Sequence, residues 1–156
     1  MRNTTLCYLQ RGDEVLMLHR VKKAVDENAG KWIGVGGGFE EGESPEDCLL
    51  REVREETGLT LDSWRYHGIV TFVLDESYTE YMHLFTSADF HGTVKADCEE
   101  GVLEWLPWDR LPKLPIWEGD RLFLRLIDED APFFSLKLCY RGDRLEKAVL
   151  NGKVLP

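Results

Sequence analysis

The chain has 156 residues, 43% of them hydrophobic and 31% charged, with 29 acids against 19 bases and a net charge of −10. Such a length and composition describe one globular domain with a proper core, and the negative charge argues against a nucleic-acid polymer or an anionic membrane as partner. The opening MRNTTLCYLQ holds too short an apolar run for a signal peptide, and no later stretch reaches membrane-spanning length, so a cytoplasmic protein is expected.

In chain order, TLCYLQ and EVLMLHR flank Arg11-Gly12-Asp13, a turn signal, and read as a β-hairpin. ENAGKWIGVGGG is too rich in glycine for a helix and reads as a short strand running into a tight loop. A helix is expected over about residues 45–57: Ser44 is a good N-cap, Pro45 suits the first helical position, and Gly58 suits a left-handed C-cap. Glu46 and Asp47 complement the positive end of its dipole. RYHGIVTFVLDE and YTEYMHLFTSADF read as two strands around Ser77, and VLEWLP as another. WEGDRLFLRLIDED places Leu122, Phe123, Leu126 and Ile127 at helical spacing, and FFSLKLCY and LEKAVL read as a closing hairpin. Strands interspersed with two helices suggest a mixed sheet packed between helices. Cys7, Cys48, Cys98 and Cys139 lie far apart with no C-x-x-C pair, so reduced and mostly buried thiols are expected rather than a zinc or redox site.

Glu52, Glu55 and Glu56 stand at i, i+3 and i+4, within an arc of about 100° on the helix. Like charges so spaced destabilise a helix by a few tenths of a kcal/mol per pair, and Arg51 and Arg54, on other sides, relieve only part of that. Either this is a solvated acidic face or a divalent cation completes it; oxygen-only ligands select a hard ion, Mg²⁺ or Mn²⁺.

Gly37, Glu43, Arg51, Glu52, Val53, Glu55, Glu56, Gly58 and Leu59 fill every defined position of the pattern G-x5-E-x7-R-E-U-x-E-E-x-G-U, where U is a bulky aliphatic. By average residue usage a chance match is on the order of one in 10⁹ per window. On this segment, residues 37–59, the chain resembles the Nudix hydrolases. The resemblance implies an α/β/α sandwich around a mixed sheet and hydrolysis of a nucleoside diphosphate linked to another group. It also implies that Glu52, Glu55 and Glu56 hold divalent metal and activate water, with a carbonyl of Gly36 or Gly37 as a further ligand. Glu43 and Arg51 would brace the loop against the helix.

Outside that segment, GKWIGVGG and LEWLPWDRLPKLPIWEGDRLF resemble the MutT-like subgroup that acts on oxidised purine nucleoside triphosphates such as 8-oxo-dGTP. By that resemblance Glu100 would be an extra metal ligand, with Glu99 its neighbouring rival, and Arg20 would contact phosphate. Trp117 and Asp120 would line the base pocket, with Phe72 a further candidate. Two positions depart from the mammalian-type enzymes, Ile33 for Asn and Gly119 for a second Asp, and the subgroup's Lys after the double glycine is replaced by Gly38. Fewer polar readers imply weaker discrimination and some activity on unmodified dGTP. The proline that ADP-ribose hydrolases carry beyond the box is absent between Pro45 and Pro107, and Val35, not a phenylalanine-proline, precedes the glycines. Hydrolysis of ADP-ribose or a dinucleoside polyphosphate is the alternative, and a non-catalytic nucleotide sensor another. The partner expected is a small nucleotide; nothing in the sequence marks an oligomer interface.

Overall fold

A computed structural model describes residues 1–21, 30–95, 97–99 and 101–156. β1 (Arg2–Arg11) and β2 (Glu14–His19) form the expected antiparallel hairpin, with Leu9 opposite Leu16 and Arg11 opposite Glu14. The turn needs Gly12, whose φ of +61° is a region that crowds a Cβ. β3 (Trp32–Ile33) adds briefly to β2.

α1 (Pro45–Thr57) has the bounds its capping residues predict. The Asp47 N–H donates to Ser44 Oγ at 3.1 Å and the Ser44 N–H donates to Asp47 Oδ2 at 3.0 Å, a reciprocal pair that satisfies two otherwise unpaired donors. At the other end Gly58 turns left-handed, φ +82°, and its N–H bonds the Arg54 carbonyl at 2.9 Å. β4 (Leu59–Leu74) follows at once and pairs antiparallel with β5 (Tyr78–Gly92) through a turn at Asp75–Ser77. Register shifts between Leu61 and Ser63, Ser63 and Arg65, and Tyr66 and Gly68 break the alternation of β4. Its first six residues therefore do not read as a strand in sequence.

β6 (Asp97–Cys98) and β7 (Gly101–Pro107) lead into a 3-10 segment, Trp108–Lys113, and then α2 (Asp120–Asp128). β8 (Phe134–Arg141) and β9 (Arg144–Leu150) are the closing hairpin, and β10 (Lys153–Val154) folds back on β9. Among the described residues the ten strands form one sheet in the order β10-β9-β8-β4-β5-β1-β2-β7-β6, with β3 beside β2. It is mixed: β1 runs parallel to β5 and β8 parallel to β4.

Alternation along the strands sends side chains to opposite faces. Tyr8, Met17, Val70, Phe72, Leu136 and Leu138 pack with Phe123 and Leu124 of α2 on one face. Cys7, Leu9, Leu16 and Phe85 pack with Leu49 and Val53 of α1 on the other. A helix on each face gives the α/β/α sandwich expected. No helix of the described residues is long and apolar enough to cross a membrane. Cys7, Cys48, Cys98 and Cys139 are free thiols, two of them buried and two half-buried.

Candidate active site

The glycine segment is fastened to the stretch of β1 that precedes its pairing with β2 at Leu9–Arg11. The Thr5 N–H donates to the Gly37 carbonyl at 2.9 Å, Cys7 and Val35 exchange both backbone bonds, and the Phe39 N–H reaches the Asn3 carbonyl at 3.0 Å. A side chain would be crowded at both Gly36 and Gly37. A Cβ on Gly36 would stand 1.9 Å from the Thr5 carbonyl oxygen, and one on Gly37 would stand 2.5 Å from the Glu52 carboxylate carbon.

The helix meets the glycines there. Glu52 lies against Gly37, and Glu56, only 8% exposed, accepts the Gly36 N–H at 3.1 Å. Glu55 points outward to the rim. The three glutamates therefore do not share one exposed arc: two converge on the glycines and one faces solvent. Among the described residues no three such ligands stand close enough to hold an ion in this arrangement. The donor set, carboxylates with backbone carbonyls beside them, is nonetheless all oxygen, the chemistry that suits a hard divalent cation.

Arg51 does more than a helical wheel suggests. Its Nε and Nη2 form a two-pronged pair with Glu43 at 2.8 and 2.9 Å, and Nη2 also reaches the Gly38 carbonyl at 2.9 Å. Nη1 bonds Glu52 at 2.7 Å and Glu55 at 3.2 Å. Expected to lie apart from the glutamates, the guanidinium instead bridges two of them, because its long stem curls back across the turn. These bonds from Arg51, followed by the Glu40 N–H, pull the Glu43 carboxyl down to about 2. Glu43 and Arg51 thus tie loop to helix.

On the opposite face of the sheet a cavity of about 150 Å³ opens beside the same glycines. Arg20, Phe72, Trp117 and Asp120 all line it, together with Gly36 and Gly37. The structure brings together every pocket residue singled out in sequence. Glu100 alone lies outside the described residues; Glu99 is in a turn. Trp117 is wedged between Phe72 and Tyr140, ring centroids 5.1 and 4.8 Å away, so Phe72 is both core and lining. Lys31, its side chain 15% exposed, sets its ammonium 4.5 Å from the Trp117 ring and pairs with Asp143 at 3.1 Å.

Asp120 is 6% exposed, in the first turn of α2. Burial pushes its carboxyl up to about 8, against the weaker pull of Arg121 and Lys31. Near neutrality it is mainly the acid, able to donate as well as accept. Gly119 beside it has no room for a side chain: a Cβ would meet Leu138 Cδ1 at 2.6 Å and the Tyr140 hydroxyl at 2.7 Å. That hydroxyl instead accepts the Gly119 N–H at 2.7 Å. A second acid at this position would require Leu138 and Tyr140 to shift. Sequence reading missed Arg2, Thr4 and Glu80, which also line the cavity. Arg2 and Thr4 had one signal, their i, i+2 spacing with Leu6 on β1; Glu80, on β5, had none.

The NUDIX domain model matches residues 1–127. The chain belongs to the Nudix family. An uncharacterized Nudix hydrolase of Bacillus subtilis, YvcI, is 33% identical over 124 residues, 77% of this chain and 75% of its own. The oxidized purine nucleoside triphosphate hydrolase of Mus musculus is 35% identical over 107 residues, 67% of each chain. A NAD-capped RNA hydrolase of Pseudomonas fluorescens, NudC, is 33% identical over 76% of this chain but only 40% of its own. Among solved structures, the MutT protein of Bacillus halodurans superposes with a TM-score of 0.87 at 26% identity, over 97% of this chain and 98% of that one. As a Nudix hydrolase, the protein is a pyrophosphohydrolase, of a family that generally uses divalent metal ions.

Proposed function

We propose that this Nudix hydrolase cleaves a purine nucleoside triphosphate, with an 8-oxo-guanine nucleotide preferred, to the monophosphate and pyrophosphate. The observation that carries this reading is that Trp117, Asp120, Arg20, Gly36 and Gly37 line one and the same cavity. An indole face and a carboxyl that both donates and accepts suit a purine, and a guanidinium suits phosphate. The resemblance to the mouse enzyme supports the same substrate class.

Glu52, Glu55 and Glu56 would hold Mg²⁺, or Mn²⁺, with Glu100 as an added ligand. The Gly37 carbonyl already accepts the Thr5 N–H and the Cys48 thiol, which favours the Gly36 carbonyl as the backbone ligand. When bound, the ion neutralises phosphate charge and acidifies water. The protein's own part is to take a proton from the attacking water. Water adds to phosphorus, one of the glutamate carboxylates takes its proton, the P–O bond to pyrophosphate breaks, and Arg20 steadies the departing charge. Arg51 and Glu43 keep loop and helix in register throughout. The domain would be the whole chain, 1–156, since β8 is built into the sheet beside β4. Four free thiols suit a reducing, cytoplasmic setting, where the role would be sanitation of the nucleotide pool, upstream of DNA repair.

A second reading, another nucleoside diphosphate-X substrate, is favoured by the similarity to NudC. Initial rates with Mg²⁺ over dGTP, 8-oxo-dGTP, dATP, ADP-ribose, NAD and diadenosine tetraphosphate separate the two. The highest kcat/KM on 8-oxo-dGTP, with pyrophosphate released, supports the first; a dinucleotide preference supports the second. Nucleotide binding without turnover would mean a sensor. Within the first reading, Asp120→Ala should lower kcat/KM for the oxidised purine about five- to a hundredfold more than for a pyrimidine triphosphate. Equal losses on both would remove Asp120 from the base pocket.

A further inference from the structure

Asp120 is not the only carboxyl lining the cavity. Glu80, at the start of β5, lines it too, and nothing in the hydrolytic reading uses it. Register places it: Phe72 of β4, Glu80 of β5 and Arg2 of β1 are successive partners across the sheet. Side chains in such a row share a face, here the face that carries the cavity. Glu80 is held at both oxygens. Thr4 Oγ1 donates to Oε2 at 2.7 Å, and the Tyr78 hydroxyl donates to Oε1 at 2.5 Å. Arg2 reaches the same Tyr78 hydroxyl.

A carboxylate accepts about four hydrogen bonds, two at each oxygen. With one position on each oxygen taken by a hydroxyl, each oxygen keeps capacity for one further donor. Two acceptors on one carboxylate match two neighbouring N–H donors. Guanine carries such a pair on one edge, N1–H beside the N2 amino group, whereas adenine sets a donor beside an acceptor. Fixing the carboxylate beforehand also spares the ordering cost when the base arrives.

We infer that Glu80 is a specificity-determining residue, its carboxylate receiving the paired N–H donors of a guanine-type base, with Thr4 and Tyr78 as positioning residues. This deepens the reading of the cavity as a purine site and rests on it. The polar readers absent at Ile33 and Gly119 are thereby replaced from a different strand.

The test compares Glu80→Gln and Tyr78→Phe with the wild type. It measures kcat and KM separately for guanine and adenine substrates, with thermal unfolding recorded for each protein. A carboxamide offers one acceptor and one donor, so it meets only one of the two N–H groups. Glu80→Gln should lower the guanine-to-adenine ratio of kcat/KM about tenfold to a hundredfold, mostly through KM, and Tyr78→Phe about two- to fivefold in the same direction. Equal slowing on both bases, or an unchanged ratio with a lowered melting temperature, would overturn the inference and leave Glu80 a sheet-bracing residue. The bases are compared within whichever phosphate linkage the wild type hydrolyses. A wild type that prefers a dinucleotide thus fails the triphosphate reading alone, and the base ratio still decides the role of Glu80.

Discussion

Glu55 and Glu56 are neighbours in sequence and opposites in setting. Glu56 is buried against the Gly36 N–H, while Glu55 sits at the rim with one bond to Arg51. Glu55→Gln and Glu56→Gln should each lower kcat at least a hundredfold, several kcal/mol of transition-state stabilisation. Turnover near that of the wild type in both would refute their role. Metal-free stability should separate them. Glu55→Gln loses only an exposed ion pair and should shift stability by less than about 0.5 kcal/mol in a denaturant titration. At Asp120 the pH sets the sign. Its carboxyl is raised by burial to about 8 in the fold, against 3.8 ordinarily. The folded state therefore holds the proton more tightly, and the contribution to stability is full below about pH 4 and is lost as pH rises toward 8. Asp120→Asn, which never ionises, should gain on the wild type by at least about 1 kcal/mol between pH 5 and pH 8.5. Parallel melting curves for the two proteins over that range would show that Asp120 ionises freely in the fold.

The glycine segment and α1 work as one unit, and two adjacent glycines should fail differently. At Gly36 an added methyl meets the Thr5 backbone, which cannot yield without breaking the β1 contacts. Gly36→Ala should cost a few kcal/mol of stability, read as a lowered melting temperature. At Gly37 the methyl meets the flexible end of Glu52. Gly37→Ala should fold almost normally but lose at least about tenfold in kcat/KM, because the carboxylate is pushed aside. Reversed outcomes would mean that the loop, not the glutamate, gives way. Much of this unit was legible in the sequence, since helix signals are local. Ser44, Pro45 and Gly58 mark the ends of α1 within a few residues of the groups they cap. The cavity was legible through Gly36, Gly37, Trp117, Asp120, Phe72 and Arg20, by resemblance. Glu80 and Lys31 were not, because an isolated charge in a strand or loop looks solvated until its neighbours from other strands are known. The sweep of Arg51 across the helix depends on side-chain torsions that spacing does not encode.

At the scale of the whole molecule, the parallel pairings of β1 with β5 and β4 with β8 join segments far apart in sequence. Alternation along a strand shows which face is buried and not which partner lies beside it, so the strand order was hidden. β8 supplies Leu136 and Leu138, both fully buried, to the α2 face. Each stabilises the fold by about 1.5–3 kcal/mol, a large share of the roughly 5–15 kcal/mol a domain possesses. A chain ending after residue 130 keeps everything the NUDIX domain model matches, 1–127, yet should show no cooperative thermal transition by circular dichroism. A sharp transition would mean that the last three strands are an accessory. The same parallel edge also shapes the protein's birth on the ribosome. β4 is complete at Leu74 and pairs at once with β5, but its other edge stays open until synthesis passes Phe134. An open edge beside apolar residues is a template for joining another chain. Nascent chains crowded on one messenger should therefore aggregate through β4, and supplying a chaperone that shields this edge should raise the soluble yield.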